Sequence, residues 1–200
     1  MIAIVDYGMG NLASVQKALA HLHYEAQITS DPKIIEAATG VILPGVGAFA
    51  PAMSALRAKS LDRAVLEAAW SGKPLLGICL GMQLLFDGSE EGEPCEGLGL
   101  IPGRVVKFPE DMGLKVPQMG WNNLEDVKGT LLSEGDYVYF VHSYYCCPDN
   151  EADAAAYTTY GIKYVCAVER DNIFATQFHP EKSGEAGLVI LGKFARRTAL

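Results

Sequence analysis

The chain has 200 residues, of which 50% are hydrophobic and 20% charged, and its formal net charge at pH 7 is -8. This length and composition are typical of one globular domain with a sizeable core and exclude a disordered chain. The acidic balance, without a cluster of Lys and Arg, argues against nucleic-acid binding. No apolar run approaches the ~18 residues that cross a bilayer. The start of the chain lacks the basic segment of a signal peptide, so we expect a cytoplasmic protein with no membrane partner.

The five cysteines are an odd number, which favours free thiols in a reducing compartment. Cys146 and Cys147 are adjacent, and no Cys or His residues have the spacing of zinc ligands. The sequence therefore predicts no metal site and no cofactor.

Up to Trp70 the chain alternates apolar runs typical of buried strands with helical patterns. The predicted strands are Ile2–Val5, Ala26–Thr29 and Val41–Leu43. Four helices are predicted. The first carries the apolar stripe Leu12, Val15, Leu19 and Leu22, the second begins at Pro32, and the other two span Ala48–Ala58 and Leu61–Trp70. This alternation favours an α/β fold with a parallel sheet.

Two glycine-containing turns follow predicted strands. Gly8-Met9-Gly10 lacks the further residues of a phosphate-binding loop, so a plain strand-to-helix turn is the better interpretation. Pro44-Gly45-Val46-Gly47 is either a tight turn or a loop whose backbone N–H groups contribute to an oxyanion hole. We favour the oxyanion hole because of the stretch that follows.

From Lys73 to Phe86 a predicted strand passes into a predicted helix through Gly77-Ile78-Cys79-Leu80-Gly81. This small-x-nucleophile-x-small pattern is that of a nucleophile elbow with cysteine as the nucleophile. Such a turn gives Cys79 strained backbone angles and points its sulfur at the first helical N–H groups, which stabilise a thiolate. The alternative is a buried structural cysteine.

The second half of the chain is predicted as a loop over Gly88–Gly103, several short strands and a closing helix at Gly187–Ala195. The short strands suggest an antiparallel extension of the sheet. They are Val105–Phe108, Asn122–Leu124, Tyr137–His142, Ala154–Tyr157, Val165–Glu169 and Ile173–Gln177. The predicted fold is therefore one α/β domain over residues 1–200, an open, twisted, mostly parallel sheet flanked by helices with an antiparallel extension in its second half.

Phe178-His179-Pro180-Glu181 follows the last predicted strand. Pro180 restricts His179 to extended geometry, in which His179 and Glu181 point to the same side. A carboxylate beside an imidazole fixes its tautomer and stabilises the imidazolium. Alone, His-Pro-Glu is commonly a surface turn, but with Cys79 it completes a candidate catalytic triad.

The elbow, the Pro44–Gly47 loop and the Phe178–Glu181 segment together resemble the class I (triad) glutamine amidotransferases. Further matches extend the resemblance over nearly the whole chain, within the branch whose ammonia serves a cyclase in histidine biosynthesis. They are Val5–Leu12, Leu43–Phe49, Gly97–Gly103 and Pro117–Asn122.

The resemblance implies that Cys79, His179 and Glu181 hydrolyse L-glutamine to glutamate and ammonia. It implies an oxyanion hole made by the N–H of Leu80 and an N–H from Gly45, Val46 or Gly47, and places Gln83, Glu91, Ser143 and Tyr144 around the amino-acid end of glutamine. It also implies a heterodimer with a (β/α)8-barrel cyclase, with Trp121 and Asn122 at the interface. That cyclase would make imidazole glycerol phosphate and an aminoimidazole-carboxamide nucleotide.

Three alternatives stay open. The first is another hydrolase on an α/β scaffold, such as a cysteine peptidase or a thioesterase, and the second is a non-catalytic module that kept the fold. The third is the glutaminase of pyridoxal phosphate synthase, which also serves a barrel partner but fits Pro44–Gly47 and Met119–Asn122 poorly. Release of glutamate from glutamine, with and without a cyclase, separates the first two from an amidotransferase.

Overall fold

A computed structural model describes residues 1–199, which form one large mixed sheet, a separate two-stranded sheet and flanking helices. The strands are β1 (Ile2–Val5), β2 (Ala26–Thr29), β3 (Gly40–Gly45), β4 (Leu75–Cys79), β5 (Phe86–Ser89), β6 (Cys95–Glu96), β7 (Ile101–Lys107), β8 (Gln118–Asn123), β9 (Tyr137–His142), β10 (Tyr144–Pro148), β11 (Ala154–Tyr160), β12 (Ile162–Arg170) and β13 (Ile173–Thr176). The α-helices are α1 (Leu12–His21), α2 (Pro32–Ala37), α3 (Phe49–Ala58), α4 (Leu61–Trp70), α5 (Leu80–Leu84) and α6 (Gly184–Arg197). Leu200, the last residue of the predicted domain, lies outside the described residues.

One half of the large sheet is parallel, in the order β2-β1-β3-β4-β13. Its inner strands read as continuous apolar runs because helices cover both faces. In β1, Ala3 and Val5 join the core beneath α2, α3 and α4, whereas Ile2 and Ile4 join the core beneath α1 and α6. The predicted α/β fold with a mostly parallel sheet flanked by helices is confirmed.

The other half of the sheet continues from β13 through β12, β10 and β7, each antiparallel to the one before, and then to β5, which is parallel to β7. The predicted antiparallel extension is thus present. Two of its predicted strands, Asn122–Leu124 and Tyr137–His142, belong instead to the separate β8–β9 hairpin. In that hairpin Trp121 lies opposite Tyr139.

The predicted loop over Gly88–Gly103 is wrong in part, because it contains the end of β5, all of β6 and the start of β7. No apolar alternation marks β5 and β6. They form because β5 pairs with β7 on one side and with β6 on the other. Gly88 permits this pairing, since a Cβ there would lie 2.8 Å from the carbonyl oxygen of Cys95.

The order of the strands determines where the site forms. Since β13 pairs in parallel with β4, the segment after β13 emerges beside the end of β4. On the other side of β4, Gly45 at the end of β3 lies opposite Cys79 in the register of the two strands. Three chain segments therefore meet at the carboxyl edge of the parallel strands, where α/β proteins commonly bind ligands. Among residues 1–199 no helix is long and apolar enough to span a membrane.

Candidate active site

Cys79 is the last residue of β4 and has φ 55° and ψ -109°. A residue with a side chain seldom adopts a positive φ, so the backbone is strained here. Gly81 is required because a Cβ at that position would lie 1.7 Å from the carbonyl oxygen of Leu43. A Cβ on Gly77 would lie 3.0 Å from the carbonyl oxygen of Gly81. The glycines on either side of Cys79 thus permit the close backbone crossing of an elbow.

The helix after the elbow is shorter than its apolar spacing suggests. It spans only Leu80–Leu84, and Phe86 already begins β5, where it pairs with Ile101. The predicted helix through Leu85 and Phe86 is wrong because pairing with β7 takes over at that point. The first-turn N–H groups still follow Cys79, but a single short turn has few aligned peptide dipoles.

His179 and Glu181 form a buried pair on the segment after β13. His179 Nδ1 lies 2.8 Å from Glu181 Oε1. His179 has extended angles, as Pro180 requires, with φ -99° and ψ 96°. Glu181, however, lies in a short 3-10 turn at Pro180–Lys182, so the turn and not strand alternation brings the carboxylate to the imidazole.

The electrostatics of this pair favour a charged imidazole. Burial opposes the imidazolium, but the sulfur of Cys79 and the carboxylate of Glu181 outweigh burial and raise the pKa of His179 to about 9. His179 Nε2 is buried and makes no hydrogen bond with the described residues. Glu181 therefore occupies one ring nitrogen and leaves the other free to exchange a proton.

A cavity of about 320 Å³ opens at this edge of the sheet. Most of the predicted site residues line it, whereas Gly45 and Glu181 lie behind them. The lining consists of Val46, Gly47, Cys79, Leu80, Gln83, Glu91, Pro117, Val141, His142, Ser143, Tyr144 and His179. Within residues 1–199 no group of three or more His, Cys, Asp or Glu side chains is arranged to hold a metal ion.

The predicted Pro44–Gly47 loop is shorter than expected, because β3 runs through Gly45. Gly45 is packed so closely that a Cβ would lie 2.3 Å from the hydroxyl oxygen of Tyr7. Gly47 has φ 101°, which glycine adopts readily. Val46 and Gly47 are exposed and border the cavity beside Leu80, so these two residues form the free part of the loop.

Gln83 and Tyr144 are joined by a hydrogen bond in which Gln83 Nε2 donates to the Tyr144 carbonyl oxygen at 3.2 Å. Gln83 Nε2 also donates to Gln177 Oε1 at 3.1 Å. Gln177 Nε2 in turn lies 3.7 Å from the sulfur of Cys79. Sequence reasoning overlooked Gln177, although its place two residues before His179 was a signal, since alternate residues of an extended segment share a face.

His142 was also overlooked, and it lies beneath the same wall of the cavity. Its Nδ1 is 2.7 Å from the Tyr144 carbonyl oxygen, and its Nε2 is 3.0 Å from the hydroxyl oxygen of Tyr164. The Tyr164 hydroxyl continues this chain to the amide of Gln118 at 2.7 Å. Burial lowers the pKa of His142 to about 4. The neutral ring therefore donates from Nδ1 and fixes the Tyr144 peptide.

Three further predicted residues have contacts of their own. Glu91 Oε2 accepts the N–H of Phe49 at 2.8 Å and thereby caps the start of α3. Trp121 is 55% exposed and makes an edge-to-face contact with Tyr139. The Asn122 side chain donates to the Thr159 carbonyl oxygen at 2.8 Å, which attaches the β8–β9 hairpin to β11.

Comparisons with known proteins identify the family of this chain. The family model for "Glutamine amidotransferase class-I" matches residues 3–197. A curated relative from Moorella thermoacetica, "Imidazole glycerol phosphate synthase subunit HisH", is 52% identical and aligns over 96% of this chain and 93% of its own. The protein of the same name from Methanothermobacter thermautotrophicus is 52% identical over 97% of each chain.

Among solved structures, "Crystal structure of glutamine amidotransferase" superposes with a TM-score of 0.78 over 100% of both chains at 19% identity, which shows the shared fold. The family match covers almost all of the described chain. The chain belongs to the class-I glutamine amidotransferase family.

Proposed function

We propose that this chain hydrolyses L-glutamine to glutamate and ammonia and delivers the ammonia to a cyclase subunit in histidine biosynthesis. The observation that carries the proposal is the meeting of Cys79, on its strained turn, with the buried His179–Glu181 pair at one cavity. The names of the relatives at 52% identity support the assignment to imidazole glycerol phosphate synthase.

In the proposed reaction the Cys79 thiolate attacks the carboxamide carbon of glutamine and forms a C–S bond. The N–H of Leu80 and an N–H from the Gly45–Gly47 segment hold the oxyanion of the tetrahedral intermediate. His179 donates its Nε2 proton to the nitrogen as the C–N bond breaks, which releases ammonia and leaves a thioester. His179 then accepts a proton from water, the water oxygen displaces the sulfur, and glutamate leaves. Glu181 keeps the imidazole oriented throughout.

Gln83 is assigned to the substrate's ammonium group. Its two N–H bonds are directed to the Tyr144 carbonyl and to Gln177, so the amide oxygen remains for a ligand. An oxygen accepts hydrogen bonds and therefore selects a donor such as an ammonium group. The backbone of Ser143 and Tyr144 borders the cavity next to Gln83, and the Glu91 carboxylate adds negative charge to the lining.

The cyclase is proposed to dock on the outer face of the β8–β9 hairpin. Met119, Trp121 and Tyr137 share that face and are 65%, 55% and 62% exposed. Aromatic anchors of this kind are enriched at interface hot spots. The hairpin also leads into the cavity through Val141, so a partner bound there would lie beside the source of ammonia. Asn122 supports this surface through its bond to β11. The proposed partner is a (β/α)8 barrel, and the proposed setting is the cytoplasm.

The proposal is tested by measuring glutamate release from glutamine with the chain alone and with the purified cyclase subunit. We expect low release alone, and higher release together with formation of imidazole glycerol phosphate when the cyclase and its nucleotide substrate are present. Cyclase supplied with an ammonium salt is the control that needs no glutaminase. No release of glutamate by a folded complex, while the ammonium control works, would contradict the proposal.

A further inference from the structure

Two side-chain amides connect the wall of the cavity to the sulfur of Cys79. Gln177 is fully buried, and its backbone N–H is held by the Cys166 carbonyl oxygen at 2.8 Å. Its side chain reaches Cys79 Sγ through Nε2 at 3.7 Å and accepts from Gln83 through Oε1 at 3.1 Å. The Gln177 amide is therefore held through both its oxygen and its nitrogen, whereas the Gln83 amide is held through its nitrogen.

The direction of these hydrogen bonds follows from a backbone group. The Tyr144 carbonyl oxygen can only accept, so the Gln83 atom that faces it at 3.2 Å has to be the nitrogen. The Gln177 atom that faces the same nitrogen then has to be the oxygen. The remaining atom of the Gln177 amide, which faces the sulfur, is the nitrogen and carries N–H donors.

An N–H directed at sulfur stabilises the thiolate more than the thiol, because a hydrogen bond to a charged acceptor is stronger. The sulfur also faces the Val141 carbonyl oxygen at 4.0 Å, which can only accept and therefore favours the thiol. Gln177 thus acts on Cys79 in the direction that the proposed reaction requires.

We infer that Gln177 is a further catalytic residue, whose amide donates a hydrogen bond to the Cys79 thiolate while the same amide holds Gln83 in its substrate-binding orientation. The inference rests on the proposed role of Cys79 as the nucleophile. One neutral side chain then couples the two ends of the bound glutamine, the carboxamide at Cys79 and the ammonium group at Gln83.

Several titratable groups face Cys79 from neighbouring elements, and the contribution of Gln177 has to be separated from theirs. His179, with Glu181 behind it, follows β13, and the others are Tyr7 after β1, Glu91 after β5, His142 at the end of β9 and Cys146 in β10. Gln177 carries no charge. A change of Gln177 to an apolar side chain of similar length therefore removes the hydrogen bond without altering the charge of the site.

The experiment compares the parent chain with Gln177→Met, in which an apolar side chain of similar size replaces the amide. Reaction with iodoacetamide is followed over a range of pH by mass spectrometry of the Cys79 peptide, with the exposed Cys147 as a reference in the same molecule. We expect alkylation of Cys79 near neutral pH to slow by about tenfold, since a charge-assisted hydrogen bond contributes roughly that factor. The midpoint of the rate plotted against pH should move to higher pH. Alkylation of Cys147 should not change.

Two more variants complete the test. Gln177→Asn keeps an amide but withdraws it by one methylene, so the same shift is expected, and it carries the test if Gln177→Met does not fold. Gln16→Met is the matched control, because the Gln16 amide donates to the Ala26 carbonyl oxygen far from the site. An unchanged pH profile of Cys79 in folded Gln177→Met or Gln177→Asn would overturn the inference.

The coupling to Gln83 gives a second readout, in which Gln177→Met raises KM for glutamine as well as lowering kcat. The alkylation assay uses no glutamine, so it reports on Gln177 even if the proposed reaction is wrong. Failure of the proposed function would appear separately, as the absence of glutamate release by the folded parent complex.

Discussion

Glu181 Oε1 lies 2.8 Å from His179 Nδ1, and the two side chains are only 1% and 2% exposed. Burial by itself lowers the pKa of a histidine, yet His179 keeps a raised pKa because the carboxylate and the Cys79 sulfur compensate. The pair therefore holds a proton at neutral pH in a place where an isolated imidazole would lose it. Both catalytic and stability effects follow from this relationship.

For catalysis, His179→Asn should be far more damaging than Glu181→Gln. Without His179 neither half-reaction has a proton carrier, whereas without the carboxylate the imidazole is only misoriented and less stabilised. Losses in kcat on the order of 10⁶-fold and 10⁴-fold are expected, as for the equivalent members of a Ser-His-Asp triad. Steady-state glutamate release measures both. A greater loss in Glu181→Gln than in His179→Asn would contradict the order of the triad.

For stability, the free energy of unfolding should fall as pH rises from neutral to alkaline. The pKa of His179 is raised from 6.5 to about 9 in the folded chain. Its stabilising contribution is therefore complete below pH 6.5 and is lost as pH rises through about 9. Glu181→Gln lowers this pKa and should move the decline to lower pH. Urea unfolding at a series of pH values measures this decline. If the free energy of unfolding fell with alkaline pH identically in the parent and in Glu181→Gln, the prediction would be refuted.

His142 should act in the opposite pH range. Its pKa is lowered from 6.5 to about 4, so the folded chain resists protonation of this ring. Stability is fully present above pH 6.5 and is lost as pH falls through about 4, by on the order of 3 kcal/mol. In His142→Asn the side-chain nitrogen replaces Nδ1 without titrating, so the acid decline should be shallower. An equally steep acid decline in His142→Asn would assign the loss to other groups.

Cys79→Ala should abolish glutamate release and leave the fold and the complex with the cyclase intact. The side chain is small and lines the cavity, so its removal alters little of the core. A cyclase paired with the variant should still turn over with an ammonium salt, because only the source of ammonia is lost. Release of glutamate at the parent rate would mean that Cys79 is not the nucleophile.

The parallel half of the fold could be predicted from the sequence because both faces of its inner strands are buried. Ile2–Val5 is a strand with those bounds, since a continuous apolar run before a helix leaves few alternatives, and the edge strand Ala26–Thr29 also has the predicted bounds. The elbow was equally readable, because the backbone crossing at Leu43 requires glycine at Gly81. Such local constraints act within a few residues of sequence.

Other features depend on distant neighbours and leave weaker traces in the sequence. After Phe86, β5 is polar and contains glycine, so its pairing with β7 and β6 makes it a strand. The Gln177 amide can contact the sulfur of Cys79 only because β13 lies beside β4. Glu181 was assigned to the right partner through the wrong geometry, since a 3-10 turn replaces the extended segment. In each case contacts between distant parts of the chain determine the local structure, and the local sequence pattern does not reveal it.

Trp121 is an exposed aromatic side chain on the proposed interface. Trp121→Ala should weaken binding of the cyclase, since truncation of an aromatic hot spot typically costs ~2 kcal/mol, roughly thirtyfold in affinity. Glutamine-dependent synthesis should fall at limiting concentrations, whereas the ammonium-dependent reaction of the cyclase should not. Calorimetric titration of the variant into the cyclase measures the change.

Trp70→Ala is the matched control, because Trp70 is 73% exposed at the end of α4 and precedes the start of β4. It therefore lies toward the edge of the sheet opposite Cys79, and its removal should leave the affinity for the cyclase unchanged. If Trp121→Ala is folded and binds as tightly as Trp70→Ala, the outer face of the β8–β9 hairpin is not the docking surface. A selective loss in Trp121→Ala would instead place the partner beside Val141, at the mouth of the cavity where ammonia is released.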